Sequence, residues 1–122
     1  MAYGFNDDKS KYPLNMIITP PDFGSIDNIW TENYGSAGSD FSVTHTVENA
    51  GWFSLAVTRS ESSSIGYISG EVMVGTEDVA AISATPTTAT YLMTQWLYFE
   101  SGESFSIRGH ANTALLQYAP CM

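Results

Sequence analysis

The amino-acid sequence predicts an all-β domain, an antiparallel sandwich or barrel, and three observations carry that reading. First, charged residues make up only 14% of the 122 positions, against roughly 25% in ordinary soluble domains. Ser, Thr, Gly, Asn and Tyr stand in their place, residue types that suit turns and strand faces more than helix surfaces. Second, side chains alternate apolar and polar with a period of two in several runs from Phe41 onward. Third, turn signals separate those runs at spacings of about 8–12 residues, and no stretch longer than about ten residues carries a 3.6-residue period.

Residues 1–40 read as an extended lead-in with short edge strands, ahead of a β-sandwich over 41–122, the whole forming one compact domain. Apolar residues are sparse in the lead-in, and Asp7-Asp8, Pro13, Pro20-Pro21, Gly24, Gly35 and Gly38 interrupt it. Leu14 to Thr19, fenced by prolines, is restricted to a first or edge strand, and Ile26 to Trp30 is a second short piece.

Phe41, Val43, His45 and Val47 share one face, with Ser42, Thr44 and Thr46 on the other. The turn Glu48-Asn49-Ala50-Gly51 leads to Trp52–Arg59, where Phe53, Leu55 and Val57 oppose Trp52, Ser54, Ala56 and Thr58; together these suggest a hairpin. A polar loop over 59–64 precedes Tyr67 to Val74, and Gly75-Thr76-Glu77-Asp78 turns the chain into a weak strand, Val79 to Ser83. Thr90 to Phe99 is β-branched, aromatic or aliphatic on both faces and predicts a central strand in which Trp96 is packed. Ser104 to Arg108 follows, with Phe105 and Ile107 inward; Gly109 to Asn112 reads as a turn and Thr113 to Tyr118 as the last strand.

A formal charge of −9, from 13 acidic residues against Lys9, Lys11, Arg59 and Arg108, repels a phosphate backbone and disfavours nucleic-acid binding. No run approaches the roughly 20 apolar residues of a membrane-spanning helix. The opening residues have neither a basic nor an apolar signal region, so synthesis in a bacterial cytoplasm without a signal peptide is expected. Cys121 has no internal partner for a disulfide, lies where chain ends commonly fray and offers at most an intermolecular bond.

No catalytic constellation is evident, and the expectation is a non-enzymatic protein with no cofactor and no metal. His45, on an apolar face, reads as a hydrogen-bonded structural histidine, and His110 as a solvated turn residue. Two histidines and one cysteine fall short of a structural zinc set. Asp7-Asp8 and the turn at 75–78 lack EF-hand spacing and read as solvated turns. No Gly-x-Ser-x-Gly elbow is present, whereas a carboxylate pair is a three-dimensional arrangement that spacing does not reveal. Aromatics are enriched, and Tyr34, Trp52, Tyr67 and Tyr98 fall on faces shared with polar residues, where rings stack on sugars or anchor an interface. The competing reading is that most of them complete the core or a subunit interface.

The runs Gly51-Trp52-Phe53-Ser54-Leu55, Gly70-Glu71-Val72-Met73-Val74-Gly75, Leu97 to Ile107 and the closing Leu115-Leu116-Gln117-Tyr118-Ala119-Pro120 resemble the C-terminal β-sandwich of phage and prophage fibre-like proteins. The resemblance covers about residues 40 to 120. It implies a jelly roll of the tumour-necrosis-factor type, a homo-oligomer, most often a trimer, and a virion-associated decoration, fibre or receptor-binding role. The partner implied is a surface glycan or protein receptor. Those proteins carry a Lys-Gly-Asp-type turn where this chain has Ser101-Gly102-Glu103, so the basic residue is missing; they also follow a long shaft, where this chain has a forty-residue lead-in. The start, Met1 to Lys11, is similar to that of many small phage-associated proteins of gut bacteria. A carbohydrate-binding module using exposed Trp or Tyr is the alternative reading.

Overall fold

The computed structural model describes residues 3–4 and 19–122; the expected strand Leu14 to Thr19, all but its last residue, and the Asp7-Asp8 pair lie outside them. Among the described residues ten strands form two antiparallel sheets, with a short 3-10 turn, Phe23–Ser25, capped by the Asp22 carboxylate accepting from the Gly24 N–H. The first sheet contains β1 (Tyr3–Gly4), β2 (Asp27–Asn33), β4 (Gly51–Arg59), β7 (Thr90–Met93), β8 (Leu97–Phe99) and β10 (Thr113–Pro120). Its order is β1-β8-β4-β10-β2, with β7 also pairing β4. The second has the order β3-β9-β5-β6, built from Ser39–Thr46, Ser104–Ala111, Ile68–Val74 and Glu77–Ala84 respectively. The chain passes from one sheet to the other at most of its connections. This is the strand order of a double Greek key, a jelly-roll sandwich, as the sequence reading expects. Among the described residues no helix is long and apolar enough to cross a membrane.

Period-two patterning places the core as expected. Phe53, Leu55 and Val57 from β4, Ala114 and Leu116 from β10, and Phe105, Ile107, Ile68 and Val72 from the facing sheet are all buried between the layers. Burial of that apolar area is the dominant favourable term for such a domain.

Four local expectations are overturned. The 41–59 segment is not a hairpin: β3 pairs with β9 and β4 with β10, so Glu48–Ala50 crosses between sheets. Alternating apolar faces with a short turn mark two half-buried strands, but the same pattern serves two strands facing each other across a core. Thr90–Phe99 is not one central strand. The centre of the first sheet is β4, flanked by β10, while β7 and β8 are separate pieces divided at Thr94. There the Thr94 hydroxyl accepts from the Leu55 N–H (3.0 Å), the Thr94 N–H donates to Leu55 C=O (2.9 Å) and the Ser54 hydroxyl donates to Thr94 C=O (2.8 Å). Side-chain oxygens thus stand in for ladder bonds and let the strand break without an unpaired buried amide.

The third correction concerns Gly109–Asn112. β9 continues to Ala111, so His110 is a strand residue and only Asn112 turns. Gly109 is needed inside the sheet because a Cβ there would overlap the Ser69 carbonyl oxygen and crowd the Phe41 ring. Cys121, expected to fray, instead forms a bridge with Pro21, and the Met122 N–H donates to Pro20 C=O at 3.0 Å.

Candidate functional site

The four aromatics singled out from sequence are not gathered into one site. Tyr34 is half-buried and stacked on Phe41, ring centroids 6.1 Å apart. Trp52 is 3% exposed and Tyr98 9%; they tilt against each other at 5.5 Å, and the indole N–H donates to Thr19 C=O at 2.9 Å. Neither presents an open plane, because Trp52, Tyr98 and Ala119 form a second apolar cluster with Trp96 packed beside it, and Phe23 tilts against Trp96 at 5.3 Å. Tyr67 alone is well exposed, and its ring stacks on His110 at 4.5 Å while His110 Nδ1 lies 2.7 Å from an Asp40 carboxylate oxygen.

A different site arises where the sandwich is open along one side. The edge strand of the first sheet, β2, and that of the second, β3, do not pair, and the gap between them is a groove of about 440 Å³. Its floor is Phe53 with Tyr118, both reaching from the first sheet toward the second. Tyr118 is positioned by its hydroxyl, which donates to Ala50 C=O at 3.1 Å, and by a ring contact with Phe53 at 5.1 Å. Burial, then the nearby Cys121, pushes the Tyr118 phenol above its ordinary value, so it stays a protonated donor.

One wall is His45, whose inward position follows from the alternation of β3. The imidazole packs between Phe53 (5.6 Å) and Phe105 (5.4 Å). Burial pulls its pKa below the ordinary histidine value, partly opposed by the Glu48 carboxylate, so the ring is neutral at pH 7. The rim carries Asp27 and Ile29 on the β2 side and Thr46, Glu48 and Asn49 on the other, all exposed. Asp27 and Ile29 both reach the groove because alternate residues of a strand share a face. Sequence spacing did not connect these residues; the one legible signal was a histidine on an apolar face directly before an acidic turn.

Among the described residues no group of three or more His, Cys, Asp or Glu side chains is gathered as a metal centre would need, and of the expected turn at 75–78 only Gly75 and Thr76 turn, with Gly75 at φ 63° in the left-handed region that favours glycine, while Glu77 and Asp78 begin β6. No family model, curated protein or solved structure matches the chain.

The His45 environment has a consequence for stability. Its folded pKa is depressed, so the unfolded chain takes up the proton first, at its ordinary pKa of about 6.5. Unfolding free energy therefore falls as pH drops from about 6.5 toward the folded pKa. Urea unfolding of the wild type and of His45→Gln at matched ionic strength is expected to show a steeper loss in this window for the wild type; parallel pH profiles would contradict it.

Proposed function

We propose that this chain is a non-enzymatic structural and adhesion module, a virion-associated fibre head or decoration protein of a phage or prophage, which self-associates, as a trimer, and displays its free surfaces to a receptor. The observation that supports it is the contrast between the two outer faces of the sandwich. On the second sheet the outward positions include Asp40, Arg108, His110 and Glu71, the last pairing with Arg108 at 3.0 Å. On the first sheet the register directs Met93, Ala56, Leu115 and Thr31 outward in one row and Tyr91, Thr58, Thr113 and Asn33 in the next.

No charged side chain stands in either row, although the chain carries a net −9, and Tyr91 and Met93 are 53% and 38% exposed. Like-charged copies approach at least cost across such a face, and depletion of charge with enrichment of Tyr and Met marks the centre of protein interfaces. Light scattering on the purified protein is expected to give three times the 13.3 kDa chain mass. Leu115→Glu, at a half-exposed outward position, is expected to reduce it to one chain mass with the β circular dichroism retained. A wild type that stays at one chain mass at micromolar concentration would refute the self-association.

A further inference from the structure

We infer that the groove between β2 and β3 is a receptor for a primary alkylammonium group, such as the end of a lysine side chain, with Asp27 and Glu48 taking the charge and Tyr118 and Ile29 receiving the alkyl stem. The groove encloses about 440 Å³, within the range of small-ligand sites, and has the composition of one: an apolar and aromatic floor with a few convergent polar groups. Both ionised rim groups are carboxylates, which only accept hydrogen bonds, so a matching ligand supplies donors. Among the described residues no Lys or Arg lines the groove. Arg108 is paired with Glu71, and Arg59 donates to the carbonyls of Ser60, Ser63 and Ile65 in the loop that follows it.

Among the described residues His45 is the group at the groove that can gain positive charge, and it is neutral at pH 7 and does not compete. Asp27 stands on the first sheet's edge and Glu48 in the crossing to β4, so the two acceptors approach from different walls. That arrangement suits the three divergent N–H bonds of an ammonium better than the flat fork of a guanidinium, which pairs with a single carboxylate. A pyranose is a poorer fit: Phe53 is only 3% exposed and the Tyr118 hydroxyl is already committed to Ala50, leaving little open ring for stacking.

The test is an NMR titration of the full chain with n-butylammonium chloride, with Nα-acetyl-lysine methylamide, and with the uncharged alcohol n-pentanol, at constant ionic strength. Saturable shifts of the Ile29 methyls and the Asn49 side-chain amide are expected with both ammonium ligands and not with n-pentanol. Tighter binding of the lysine derivative identifies a lysyl side chain as the source, and equal binding a free amine.

Asp27→Asn and Glu48→Gln are each expected to weaken binding about fivefold, the worth of one solvent-exposed ion pair, and the double variant to abolish it. Both side chains are exposed, and an otherwise unchanged amide spectrum verifies the fold. Linear, non-saturating shifts, equal shifts with n-pentanol, or a double variant that titrates like the wild type overturn the assignment. The measurement is made on whatever oligomer exists in solution, so its outcome is independent of the self-association above.

Discussion

Replacing Phe53 by alanine is expected to lower the free energy of unfolding by about 4 kcal/mol, in the range measured for aromatic-to-alanine changes in well-packed cores. Phe53 is the hub of the aromatic cluster. Its ring lies 5.7 Å from Phe99, 5.2 Å from Phe105 and 5.1 Å from Tyr118, at angles of 74°, 62° and 53°. The first two are edge-to-face and the third tilted, contacts that add to the burial of the ring itself. The neighbours come from three other strands and both sheets, so they cannot close the cavity without moving the layers together. Phe53→Leu, which keeps most of the volume, is expected to cost about a third as much. Urea denaturation followed by tryptophan fluorescence measures both, with the m-value unchanged if the transition stays two-state. Equal losses for Ala and Leu would show that ring geometry, not volume, is what the site demands.

Asn112→Ala is expected to cost about 3 kcal/mol, because it strips partners from two backbone groups at a buried crossing. Asn112 is 2% exposed and carries the chain from β9 in one sheet to β10 in the other. Its amide donates to Gly35 C=O at 2.7 Å and its carbonyl accepts from the Ser60 N–H at 2.9 Å, while its backbone bonds Thr58 and Tyr34. One side chain therefore ties the β2–β3 turn and the 60–65 loop to the same end of the sandwich. Asn112→Asp retains the acceptor for Ser60 but sets an oxygen against the Gly35 carbonyl, and is expected to be at least as damaging as alanine at neutral pH. Hydrogen exchange should show faster opening of the Ser60 amide in both variants; an Asn112→Asp variant as stable as wild type would mean that the Gly35 bond contributes nothing.

The fold class was legible because it is written in local alternation. Phe105 and Ile107, or Phe53, Leu55 and Val57, face the core wherever their partners come from. Pairing was not legible, since a strand's neighbour depends on residues far away in sequence: the crossing at Glu48–Ala50 looks like a hairpin turn until β9 and β10 are in place. Thr90–Phe99 misled for a related reason. Uniformly apolar and β-branched residues satisfy any register, and the break depends on Thr94 finding Ser54 and Leu55 on another strand. Gly109 read as a turn because glycine usually signals one, whereas here it admits the Ser69 backbone.

The same limit governed the sites. Trp52 and Tyr98 sit on a face that alternation marks as outward, and tertiary cover from the Trp96 segment buries it. The groove draws on β2, β3, β4 and β10, and only the inward placement of His45 hinted at it.

The position of β10 bears on how the chain reaches this structure. It is the last strand in sequence, yet it lies between β4 and β2, and Thr113 meets Thr58 across a separation of 55 residues. On a ribosome, β4 and β2 would emerge with exposed, unsatisfied edges and wait for their common neighbour. Such long-range closure makes folding slow, and the open edges of the waiting strands are templates for intermolecular pairing. Nascent chains that stall before β10 should therefore be the species that aggregate and that chaperones hold.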